Sequence, residues 1–152
     1  MPVMTIFDRI IAGQIPASFV WQDVVCVAFM DISPLSRGHV LVVPRQSVAT
    51  LEELEVSTHA HLWQTAVRIA NAQRRALGSV AQHFLVNDGR EASQSVPHVH
   101  IHVIPRYAGD RYGTVARMIW HLATLATPPR ERADQRRRLE ADARAIAEAL
   151  RD

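Results

Sequence analysis

Along the first hundred residues the apolar positions change period several times, and each change marks an element. Ile6, Phe7, Ile10 and Ile11 recur at helical spacing. Thr5 ahead of them, with Asp8 three residues on, has the form of a capping box, and Gly13 follows as a stop. A first helix over roughly residues 5–12 is predicted. Phe19 to Trp21 and Val24 to Met30 flank the polar pair Gln22-Asp23, which reads as two strands joined by a tight turn. The Ser-, Pro- and Gly-bearing stretch 32–38 is a loop, and the apolar run from His39 to Val43, closed by Pro44, is a third strand. From Ser57 or Thr58 to Leu77, the positions Leu62, Ala66, Ile69, Ala70 and Leu77 keep helical spacing, with Gly78 just beyond. Gln82 to Val86 is a short strand, Asn87 to Pro97 a loop, and His98 to Ile104 a strictly alternating strand. Pro128-Pro129, then Leu139, Ala143, Ile146 and Leu150, predict an amphipathic terminal helix whose alternating arginines and acids make a solvated face. Residues 107–127 match no template. The class is α+β: an antiparallel five-stranded sheet with one long helix across it, a short N-terminal helix and a C-terminal helix. Residues 1–106 form the core, and 107–152 an extension of the same domain.

The alternating strand carries the chemistry. Alternate side chains of a strand share a face about 6.5 to 7 Å apart, so His98, His100 and His102 line one side while Val99, Ile101 and Val103 anchor the other. Three readings compete. Histidines without a task gain little from packing in a strand. A metal site is better motivated, since two histidines spaced by two can chelate zinc. The three in line span about 13 Å, however, so a third ligand such as His39 would be needed from elsewhere. The remaining reading is nucleophilic attack at phosphorus. An imidazole of ordinary pKa, about 6.5, is largely uncharged at neutral pH and needs only an acceptor on its other nitrogen to fix the tautomer. No acid adjoins the strand, so a backbone carbonyl fills that place. The upstream loop supplies hydroxyls and amides in Ser93, Gln94 and Ser95 that suit phosphate oxygens.

Composition narrows the field. With 152 residues and 48% hydrophobic residues there is enough apolar surface for one core. The net charge of +2 gives no ground for expecting nucleic acid as a partner. A single cysteine, Cys26, allows no internal disulfide and no zinc site built on two thiolates, and fits a reducing interior. No signal-like start or membrane-length apolar run is found, so a soluble, cytoplasmic protein is expected.

The segment HVHIHVI resembles the signature of the histidine triad family. TIFDRIIAGQIPA, FMDISPLSRGHVLVVPR and LVNDGREASQSVPHVHIHVIPR resemble the family in the same order, so the likeness runs from about Thr5 to Arg106. It implies that His100 is the nucleophile of a nucleotidyl-histidine intermediate released to water, that the His98 carbonyl orients it, and that His102 contacts phosphate. Asp31 matches the carboxylate that holds the ribose hydroxyls; without the likeness it would be a loop cap before Ser33-Pro34. Ile6, Phe7, Ile10, Phe29 and Ile32 match the positions that sandwich the base. Asn87 and Ser95 match contacts to phosphate or leaving group, with Gln94 as a further phosphate contact. A homodimer joining two sheets into one is implied as well.

Two departures stand out. Zinc-bearing bacterial relatives have cysteines where this chain has Thr5 and Asp8 and a histidine where it has Ser47, so no structural zinc and no cofactor are expected. Ser93 stands where glycine is common, which bears on the leaving-group side. The expected activity is hydrolysis of a purine nucleoside phosphoramidate or a nucleotidyl ester or anhydride. The helix at the start and Asn87 resemble the phosphoramidase branch, whereas IPRYAGD and the charged tail resemble dinucleoside polyphosphate hydrolases. A third alternative is a nucleotide-binding module without turnover, which would have no need of His100.

Overall fold

The computed structural model describes residues 3–110, 113, 115–119 and 132–152. Helix α1 (Ile6–Ile11) opens on the expected capping box, in which the Thr5 side chain accepts from the Asp8 amide and the Asp8 carboxylate accepts from the Thr5 amide. Strands β1 (Phe19–Gln22), β2 (Cys26–Met30), β3 (Val40–Pro44), β4 (Ala81–Leu85) and β5 (Ile101–Arg106) form one antiparallel sheet in the order β1-β2-β3-β5-β4. Helix α2 (Val56–Leu77) ends on Gly78, whose left-handed backbone closes it as the sequence requires.

Alternation along β2, β3 and β5 sorts the core into two sides. Ala28, Met30, Val40, Val42, Val99, Ile101 and Val103 pack with Leu62, Ala66 and Ile69 of α2. Val27, Phe29, Leu41 and Val43 turn the other way, onto Phe7 and Ile10 of α1. Burying each aliphatic side chain contributes about 1.5–3 kcal/mol of transfer free energy, so a one-residue slip of β5 would expose a whole row.

Helix α3 (Ala133–Ala149) lays Leu139, Ala143 and Ile146 on the α2 side of the sheet. Its polar face is not wholly solvated, contrary to expectation. Asp142 is buried and takes a forked ion pair from Arg37 at 2.8 Å, the guanidinium geometry favouring two parallel bonds. Pro128 and Pro129, read as the opening of this helix, lie outside the described residues, as does much of 107–127.

The starts of β5 and α2 are among the boundaries that differ from the sequence reading. Strand β5 begins at Ile101 rather than His98, because β3 ends on Pro44, which has no amide to continue the ladder. Helix α2 starts at Val56, one or two residues early, with Glu55 as its cap residue. A 3-10 turn at Leu51–Glu53 precedes it, with a capping box between Thr50 and Glu53. A second such turn, Arg90–Ala92, lies in the loop before the histidines. Among the described residues no helix is long and apolar enough to cross a membrane.

Candidate active site

Alternation along the chain keeps the three histidines on the α1 side, with Phe7 edge-on to His98 and His100 and His100 edge-on to His102, while Val99 and Ile101 enter the α2-side core. Their partners differ. His98 is fully buried, its Nε2–H donating to the Pro44 carbonyl at 2.8 Å and its Nδ1 lying 3.1 Å from the Thr5 hydroxyl. His100 Nδ1–H donates to the His98 carbonyl at 2.7 Å. A carbonyl can only accept, so this bond fixes the tautomer and leaves the His100 Nε2 lone pair available. Phe7 stands edge-on to the His100 ring with centroids 5.0 Å apart. Burial pushes the His100 pKa below its ordinary value of 6.5, outweighing the carbonyl bond and the nearby Asp31 charge.

His102 is wired to a fourth histidine. The Leu35 amide donates to His39 Nδ1 at 3.1 Å, so His39 carries its hydrogen on Nε2, which lies 2.9 Å from His102 Nδ1. His102 then has its own hydrogen on Nε2. From sequence His39 has a place only as a third metal ligand. The signal for its actual place is parity: in the register Leu41 faces His102, so His39 falls on the histidine side of β3. Donor atoms of Asp31, His39 and His102 lie within 4.8 Å of one another, which gives the metal reading a geometric basis. Both His39 nitrogens are already committed to hydrogen bonds, as in a relay.

Asp31 has the two faces that the sequence left open. Its Oδ1 caps the turn by accepting from the Ser33 amide at 2.8 Å, and its Oδ2 lies 3.6 Å from His39 Nε2 and 4.0 Å from His102 Nδ1. Of the base-pocket candidates, Phe7, Ile10 and Phe29 are buried beneath the site. Ile6 and Ile32 are 46% and 49% exposed, which leaves two apolar surfaces open to a ligand.

The upstream loop is braced by its own candidates. Gln94 accepts from the Gly89 amide and donates to the Ala49 carbonyl, both at 2.8 Å, so its amide spans the loop. Asn87 Nδ2 reaches the Ser93 carbonyl at 3.4 Å. Ser93 adopts the left-handed backbone, φ 64°, that glycine would supply freely; the loop keeps that shape and adds a hydroxymethyl group. Ser95 is exposed.

The histidine triad resemblance raises a structural zinc, and the residues at that place do not fit one. Asp8 Oδ2 accepts from the Thr5 amide at 2.7 Å and the Ser47 hydroxyl at 3.0 Å, and Asp8 Oδ1 lies 3.6 Å from His98 Nδ1. One imidazole nitrogen, one carboxylate and two hydroxyls already sharing hydrogens are a poor zinc set beside the thiolates and imidazoles it favours. Burial raises the Asp8 pKa, but hydrogen bonds from Thr5 and Ser47 more than offset it, leaving it below the ordinary carboxylate value.

A buried imidazole with a fixed tautomer, set in a row of histidines beside an aspartate-capped turn, defines the class. The HIT domain family matches residues 12–109, and the chain belongs to the histidine triad family. "Protein hit" of Bacillus subtilis is 39% identical over 111 residues, 72% of this chain and 77% of that protein. Adenosine 5'-monophosphoramidase of Schizosaccharomyces pombe is 35% identical over 71% of this chain and 77% of its own length. A crystal structure of a Zn-bound histidine triad family protein from Mycobacterium smegmatis superposes with a TM-score of 0.76 at 30% identity, covering 96% of this chain and 92% of that one.

Proposed function

We propose that the chain is a nucleotide hydrolase or transferase acting on a purine nucleoside phosphoramidate or a nucleotidyl ester or anhydride. His100 Nε2 forms a bond to the α-phosphorus while the bond to the leaving nitrogen or oxygen breaks, its electron pair going to the leaving group. Water then attacks phosphorus, breaks the P–N bond to His100 and releases the nucleoside monophosphate. The observation that carries this reading is the 2.7 Å bond from His100 Nδ1–H to the His98 carbonyl, which aims a lone pair outward from a ring that burial keeps uncharged. His102, with its hydrogen on Nε2, donates to a phosphoryl oxygen or the leaving group. Asp31 accepts from the ribose hydroxyls, and Ile6, Phe7, Ile10, Phe29 and Ile32 hold the base. Asn87, Ser93, Gln94 and Ser95 lie on the phosphate and leaving-group side. The reaction runs without a cofactor, in the cytoplasm. The monophosphoramidase name of the yeast relative supports this substrate class. The yeast relative named asymmetrical bis(5'-nucleosyl)-tetraphosphatase, 30% identical over 72% of this chain, supports dinucleoside polyphosphates as the alternative.

Mixing the protein with a fluorogenic adenosine phosphoramidate and, separately, with a diadenosine polyphosphate decides between them. Faster turnover of the first is expected. Silence on both, with measurable monophosphate binding, would make the chain a binding module.

Because the His100 pKa lies below 6.5, the ring stays uncharged and nucleophilic as pH falls through that value. The acid limb of kcat/KM is expected below pH 6.5, where an unperturbed histidine would already have lost half its rate. A limb centred above it would contradict the assignment. The contribution of this shift to folding stability is fully present above 6.5 and progressively lost as pH falls from there, since the unfolded chain takes up the proton first.

The pairing partner of this chain, in the same reading, is a second copy. Strand β4 is a sheet edge, and Phe84 on it meets Trp63 of α2 with centroids 6.2 Å apart. Both are 40% exposed, and Val67 nearby is 49% exposed, an apolar stripe beside an open row of backbone donors and acceptors. A dimer is expected by light scattering, and Phe84→Glu is expected to yield monomers; a monomeric wild-type chain would refute the pairing.

A further inference from the structure

The His98 carbonyl holds the nucleophile in register, yet no sheet ladder holds that carbonyl. Strand β5 starts three residues later, at Ile101. Near His98 the backbone bonds are a tight turn from its own amide to the Val96 carbonyl, 2.8 Å, and the Val99 amide to the Val48 carbonyl, 2.9 Å. The His98 side chain, by contrast, is pinned at both ring nitrogens. One is held by Pro44, and the other faces the hydroxyl of Thr5, 93 positions away in the sequence.

We propose that Thr5 and Asp8 are positioning residues for the nucleophile: they hold the His98 ring, and through it the carbonyl that fixes His100. The proposal rests on the hydrolase reading of His100 and deepens it. The Thr5 hydroxyl has one hydrogen and two neighbours that can accept it, Asp8 Oδ2 at 2.8 Å and His98 Nδ1 at 3.1 Å. Asp8 Oδ2 also accepts from the Thr5 amide and the Ser47 hydroxyl, so the carboxylate keeps two donors when the hydroxyl turns to His98. The Asp8 amide donates back to Thr5 Oγ1 at 3.1 Å, which locks the oxygen in place. Thr5 and His98 are both buried, so water does not compete for the contact between them. Phe7 of the same helix stands edge-on to both rings, 5.8 Å from His98 and 5.0 Å from His100. The placement of α1 is thereby transmitted to the nucleophile by two independent routes.

The test is Thr5→Val, which keeps the shape and removes the hydroxyl, beside Thr5→Ser and Asp8→Ala. Two readouts are taken at a temperature well below unfolding. Imidazole nitrogen NMR should show wild-type His100 with its hydrogen confined to Nδ1, and Thr5→Val with the hydrogen spread over both nitrogens. Steady-state kinetics on the phosphoramidate should show kcat lowered about tenfold with KM within about twofold, the signature of a misplaced reacting group. Thr5→Ser should recover most of the rate. A loss of thermal stability in Thr5→Val, as for any lost cap, with unchanged His100 signals and unchanged kcat would overturn the proposal. If the wild-type chain turns over no substrate, the hydrolase reading falls, and the NMR arm still decides whether Thr5 fixes His100. Should Thr5→Val not fold, Asp8→Ala is read by the same two criteria.

Discussion

His100→Ala is expected to lower kcat by about 10^4-fold or more while the affinity for a nucleoside monophosphate changes by less than about threefold. The asymmetry follows from what the ring touches. Its Nδ1–H is spent on the His98 carbonyl and its body packs on Phe7, so what it offers a ligand is one lone pair. In the proposed reaction that lone pair bonds to phosphorus only as the step proceeds, and contributes little to a ground state whose proposed contacts are Asp31 and the apolar pocket. Isothermal titration of the monophosphate beside a rate assay separates the two effects. Equal losses of binding and rate would mean that His100 shapes the pocket and does not attack. Mass spectrometry of a quenched wild-type reaction should also find the nucleotidyl adduct, absent from the alanine variant.

The second large effect is expected far from the histidines in chemistry but next to one of them in sequence. Gly38→Ala should destabilise the fold by about 3 kcal/mol, chiefly because alanine is forced into unfavourable backbone space, with a smaller part from crowding the Leu77 side chain. A Cβ at this position would run into Leu77 Cδ1 and stand 3.5 Å from Pro105 Cγ, with φ +84°. The loop cannot swing aside. Gln73 donates to the Gly38 carbonyl, the Ser36 hydroxyl to the Pro105 carbonyl, the Tyr107 hydroxyl to the Arg37 carbonyl, and Arg37 is forked onto Asp142. For a chain of this length that loss lowers Tm by about 6–12 °C. Thermal denaturation of Gly38→Ala, Leu77→Ala and the double variant checks it. The double variant should be more stable than the sum of the two single losses allows, since removing Leu77 relieves the clash. Strict additivity would show that backbone strain alone accounts for the loss.

The elements with a local signature were legible in the sequence. The capping box at Thr5 and Asp8, the left-handed stop at Gly78 and the apolar-polar alternation from Val99 to Val103 each express a rule that acts over a few residues. The side to which the three histidines turn follows from that alternation alone. What the alternation could not show is which distant side chains meet. Thr5 meets His98, His39 meets His102, and Arg37 meets Asp142 across separations of 93, 63 and 105 residues. Contacts of that range leave no periodic trace, because the intervening chain sets them only once the sheet has closed. The early end of the histidine ladder was readable in principle, since Pro44 removes a donor wherever β3 stops. It was masked by the continuity of the pattern in His98 and Val99.

Cys26 lies fully buried at the start of β2, its thiol against the Asp23 carboxylate and the Thr65 hydroxyl. Burial and the Asp23 charge raise its pKa to about 12. An alkylating reagent therefore has neither access nor a thiolate to attack while the hairpin is shut. As the chain's one cysteine, it is a silent clock. The speed at which iodoacetamide consumes it reports how often the β1–β2 corner opens, and a dye maleimide will go only to a thiol introduced elsewhere on the surface.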